Sequence, residues 1–97
     1  MPWCSEKRYG MRPEEEMILC FVKAGALMRS LTFCIMGAAE TSKAFDEFIA
    51  LADKIRLFIK RATGKDDEAV ADLAMDLIQN ERLATAFVRE NVAALAS

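Results

Sequence analysis

The sequence predicts an all-α protein: a compact bundle of about four helices with a central, mostly apolar first helix. Three observations predict it. Ala, Leu, Met, Glu, Lys and Arg dominate the chain, and these residues favour helices. β-Branched residues are scattered and form no alternating run of the kind a half-buried strand needs. Only 4 Gly and 2 Pro are present, which leaves few places for turns. A chain of 97 residues makes one domain. A domain this small buries a modest share of its surface and gains stability from any further interface.

Residues 1–12 read as an N-terminal arm and residues 13–97 as a helical bundle domain. The arm carries Trp3 and Tyr9 and ends around Gly10 and Pro13. Its Trp3 serves either to cover an apolar edge of the bundle or as an aromatic clasp on a partner.

Helix one is expected to begin at Pro13, a residue suited to the first turn. Glu14, Glu15 and Glu16 then sit at the positive end of the helix dipole. The apolar run predicts a helix extending to about Gly37 or Glu40. Its polar residues form a thin line, Glu16, Lys23, Ser30 and Gly37, with Arg29 to one side. The rest is apolar, including Met17, Leu19, Phe21, Val22, Leu27, Leu31 and Phe33. A helix that is apolar nearly all round belongs in an interior. In a four-helix monomer each helix still shows one face to water. A second copy covering the remainder is the simpler solution, and two-fold dimers are the commonest assemblies. A homodimer with helix one at its interface is therefore expected. Ala26, Ser30, Cys34 and Ala38, each four apart, form a line of small residues that lets another helix come close. They are the expected self-association residues, with packing inside the chain as the other use of the same line.

Helix two is expected from about Ser42 to Ala62, with Thr41 or Ser42 as N-cap and Gly64 just past its end. Phe45, Phe48, Ala52, Ile55, Ile59 and Ala62 alternate steps of three and four, a bundle seam that Leu51 and Phe58 widen. Asp46 and Glu47 come early, whereas Lys54, Arg56, Lys60 and Arg61 come late, in the order the helix dipole favours. The short turn from Thr63 to Asp66 predicts an antiparallel hairpin with helix three. Helix three is expected to start after Asp66 or Asp67 and run to about Gln79, with Val70, Leu73, Ala74, Leu77 and Ile78 inward. Asn80 is the expected break. Helix four then spans Glu81 to Leu95, with Leu83, Phe87, Val88, Val92 and Leu95 inward. A single bent helix over residues 67–95 is the alternative.

The chain has no histidine, which removes the commonest general base and the commonest zinc ligand. No CxxC pair, phosphate-cradling glycine loop or nucleophile elbow occurs. No catalytic, cofactor-binding or metal-binding residue is predicted, and the chain is not expected to be an enzyme. Cys20 and Cys34 sit in apolar surroundings and read as small hydrophobes. Cys4, in the arm, is the more reactive thiol. In one helix Cys20 and Cys34 would stand about 21 Å apart, too far to bridge. An odd number of cysteines without paired spacing points to a reducing cytoplasm.

The net charge is −2 and the pI about 5.1, the opposite of a basic nucleic-acid-binding domain. Lys54, Arg56, Lys60, Arg61 and Lys65 form no single stripe and have no interleaved aromatics to stack on bases. Lys23 and Arg29 interrupt the apolar run and oppose a membrane span. Neither nucleic acid nor membrane is the expected partner. Glu68, Asp72 and Asp76 project from one face of helix three, and like charges at that spacing repel. They either form a ladder, Glu68 toward Lys60 and Asp72 toward Arg56, or make a partner-binding surface for a basic protein. A carboxylate metal site is the remaining use, without the Glu-x-x-His pattern such helical sites usually carry. The function expected is a non-enzymatic protein–protein interaction module, such as an adaptor, chaperone-like binder or small inhibitor. The alternative is a dimeric nucleic-acid-associated regulator working through basic patches.

Overall fold

The computed structural model describes residues 12–33 and 37–95. Among these the fold is four α-helices and a closing turn: α1 Pro13–Phe33, α2 Ala38–Thr63, α3 Asp67–Ile78, α4 Glu81–Glu90 and a 3₁₀ turn at Val92–Leu95. Helix α1 packs against every other element, so it is central, as its composition implies. Trp3, Tyr9 and Cys4 of the arm, and Cys34, lie outside the described residues.

Local chemistry sets most of the boundaries. Gly64 takes the left-handed conformation at φ +71°, and its N–H returns to the Lys60 carbonyl at 2.8 Å. That conformation suits glycine and closes α2. Asp66 Oδ1 accepts the Ala69 N–H at 2.9 Å and so caps α3. Asn80 Oδ1 accepts the Leu83 N–H at 3.2 Å and caps α4. Residues 67–90 are therefore two helices broken at Asn80, not one bent helix.

Three boundaries differ from the expected ones. Helix α1, described as Pro13–Phe33, does not extend to Glu40: Gly37 lies outside it and Ala38 belongs to the next helix. Helix α2 starts at Ala38, with Gly37 as N-cap, because Ala38, Ala39 and Glu40 are good helix formers. Thr41 and Ser42, the two expected caps, both lie inside the helix, and Thr41 donates its hydroxyl to the Gly37 carbonyl at 2.8 Å. Helix α4 stops at Glu90, where Asn91 Nδ2 donates to the Phe87 carbonyl at 2.8 Å. An amide side chain that captures a backbone carbonyl competes with helix continuation.

The core is wholly apolar among the described residues. Phe21 and Ala24 enter from α1, Ile55, Phe58 and Ile59 from α2, Val70, Ala74, Leu77 and Ile78 from α3, and Ala84 and Val88 from α4. Phe58 meets Phe87 edge to face, centroids 5.7 Å apart, a geometry that suits the ring quadrupoles. Arg89 ties α4 to Glu14 of α1 at 3.5 Å, and Lys60 ties α2 to Asp67 of α3 at 2.6 Å. Both pairs reach solvent, which screens them, so neither carries the stability of the bundle. Burial is what holds the bundle together. Three residues expected inward, Phe45, Leu83 and Val92, are exposed instead. Ala44 and Ala84, each one position away from Phe45 and Leu83, occupy the inward stripe in their place.

Helices α1 and α3 come close at Gly25. A Cβ built there would stand 2.9 Å from the Ile78 carbonyl oxygen, at the end of α3. Alanine is the better helix former by about 1 kcal/mol. Even so, Gly25→Ala is expected to lower the urea midpoint, with a net loss of roughly 1–2 kcal/mol, because a backbone atom cannot swing aside as a side chain can. A raised midpoint would show that α1 and α3 separate freely.

Candidate interaction surface

The inward residues of α1 are Phe21, Ala24 and Gly25, with Met17 and Met28 packed beside them. The opposite side carries Glu15, Leu19, Val22, Ala26, Arg29 and Phe33, in alternating steps of four and three. Such steps hold residues on one stripe of a helix. All but the half-buried Val22 are exposed. Leu19 keeps 39% of its surface in water and Phe33 keeps 70%. The stripe runs beside a shallow groove of about 350 Å³ between α1 and α4, lined by Glu15, Ile18, Leu19, Val22 and Arg89. Among the described residues, the helix that composition places in the interior is thus packed on one side and exposed on the other.

Of the expected self-association residues, Ala26 is exposed and Ser30 half-buried, both toward this outer side. Cys34 lies outside the described residues, and Ala38 opens α2, so the four do not form one line on one helix. The small residues that admit a neighbouring helix are Ala24 and Gly25, on the inner side. On α1 the large apolar residues left exposed are Leu19 and Phe33, with Val22 half-buried between them, and their spacing was visible in the sequence. What the sequence lacked was a sign of which side the other helices cover.

Glu68, Asp72 and Asp76 are exposed along α3, over a span of about 12 Å. Neither ladder contact forms. Lys60 pairs with Asp67 instead of Glu68, and Arg56 pairs with Asp53 on its own helix instead of Asp72. The N-terminal position of Asp67 brings its carboxylate across the turn to Lys60, whereas Glu68 is rotated by a further 100°. The Lys60 ammonium, hydrogen-bonded to Asp67, holds that carboxyl below its ordinary value. The ridge therefore has no ion pair among the described residues and stays acidic. Met75 lies within it, partly exposed. Among the described residues, no three Cys, Asp or Glu side chains converge on a possible metal ion.

Lys54, Arg56, Lys60, Arg61 and Lys65 are all exposed. Arg56 and Lys60 border a groove of about 480 Å³ between α2 and α3, whose other walls are Leu57, Asp67, Val70 and Ala71. Lys54 and Arg61 border a separate cleft with Met17, Leu57, Phe58, Ala94 and Leu95. Four of the cations are thus divided between two clefts, and Lys65 borders neither. Among the described residues no helix is long and apolar enough to cross a membrane.

No protein family, curated protein or solved structure matches this chain.

Cys20 is a free, half-buried thiol on the side of α1 toward Lys54. Burial pushes its pKa up, Lys54 and Lys23 pull it down, and Glu16 pushes it up; burial prevails. The fold thus favours the neutral thiol. The stability this brings is complete below the unfolded thiol's pKa of about 8.5 and is lost as pH rises toward the folded pKa. Urea midpoints measured from about pH 7 to 10 should fall more steeply for the parent than for Cys20→Ala. Parallel slopes would mean that the thiol is fully hydrated in the fold.

Proposed function

We propose that this protein is a non-enzymatic protein–protein interaction module that works as a homodimer through the outer stripe of α1. The observation that carries the reading is that Leu19 and Phe33 stay in water on this stripe, with the apolar Val22 and Ala26 between them and Arg29 beside Phe33. Contiguous exposed apolar surface on a small protein marks an interaction site. Covering it with a second copy needs no further component. The ridge of Glu68, Asp72 and Asp76 then remains on the outside, where three unpaired carboxylates would steer a basic partner to the dimer. A reducing cytoplasm suits the free Cys20.

One helix per copy makes a small interface, near or below the lower bound of about 1,200 Å² for stable complexes. A dissociation constant of about 1–100 µM is therefore expected. Light scattering across that concentration range, in reducing buffer, should show the mass rising from one chain toward two. Leu19→Asp and Phe33→Asp should each weaken the association at least about tenfold, since each loses a burial worth about 1.5–3 kcal/mol. A monomer at every concentration would overturn the homodimer. Chemical shifts moving on α3 when a lysine- and arginine-rich peptide is added would support the steering role of the ridge. Unchanged α3 shifts at low salt would remove it.

A further inference from the structure

Within the α1 stripe, two charged residues of opposite sign flank Leu19, Val22 and Ala26. Glu15 closes the apolar middle on one side and Arg29 on the other, each seven residues from Val22. Both are exposed. Among the described residues Glu15 makes long contacts with Arg12, 3.3 Å from its backbone N and 3.5 Å from its Nε, which water or another cation can replace. Arg29 has no ion pair among the described residues.

We infer that a second copy of this chain docks on the stripe antiparallel, with the two-fold axis at Val22, so that Glu15 of each copy meets Arg29 of the other. The inference rests on the homodimer reading and adds its geometry. A two-fold at Val22 places residues equally far on either side opposite each other, about 10.5 Å along the axis in each direction. Leu19, Val22 and Ala26 then fill the middle, where the half-buried Val22 meets its own copy. A parallel pairing would set Glu15 against Glu15 and Arg29 against Arg29, and like charges facing each other across an interface oppose association. The antiparallel arrangement also opposes the helix dipoles of the two copies favourably. Phe33, eleven residues beyond Val22, reaches the level of the partner's first turn, where Arg12 is exposed. A guanidinium over an aromatic face is a favourable contact there.

Charge reversal reads this directly, because each pair occurs twice in the dimer. Glu15→Arg alone and Arg29→Glu alone should each weaken self-association roughly tenfold. The double variant, Glu15→Arg with Arg29→Glu, should return to within about threefold of the parent. Mixing the two single variants should also recover dimers, which shows that each is folded. Sedimentation velocity at low salt gives all the constants. A dimeric parent with indifferent single variants, or a double variant no better than the worse single one, overturns the antiparallel docking and leaves the homodimer standing. A parent that stays monomeric overturns both.

Discussion

The structure depends on how much of α1 the other three helices can cover. Helix α1 is apolar around almost its whole circumference, yet α2, α3, α4 and the closing turn reach it from one side. Phe21, Ala24 and Gly25 are sealed there, and Gly25 lets the end of α3 come so close that no Cβ fits. That contact fixes which side of α1 faces in. Everything on the other side follows from it, including the bare Leu19 and Phe33. Among the described residues no further element covers them.

The helices were legible in the sequence because each has its own period and punctuation. Gly64, Asp66 and Asn80 stop or start helices by conformational preference and side-chain capping, which are local effects. The inner face of α3 was also legible, since Val70, Ala74, Leu77 and Ile78 form one stripe between charged residues. The faces of α2 and α4 were less so. Phe45 and Leu83 have inward character, but Ala44 and Ala84 lie where the neighbouring helices approach. Hydrophobicity ranks residues, whereas helix geometry chooses among adjacent ones.

The surface of α1 was the least legible for the same reason. Both the small-residue line at Ala26 and Ser30 and the pair Ala24 and Gly25 offer a close approach, and a uniformly apolar helix gives no orientation. The α3 ridge shows a related limit for charge. Spacing places Glu68, Asp72 and Asp76 on one side, but the pairing of Lys60 with Asp67 depends on how the turn at Gly64 aims α3. The core has no buried polar side chain among the described residues, so charge acts at the surface, where salt and partners can compete with it.

The central claim is that the outer stripe of α1 is covered by a second copy. Its most direct measurement is an isotope-filtered NMR experiment on a mixture of labelled and unlabelled chains, at a concentration above the dissociation constant. The account predicts intermolecular cross-peaks between the methyl groups of Val22 and those of Val22 and Leu19 in the other copy. Intermolecular cross-peaks confined to other surfaces, or none at any concentration, would contradict it.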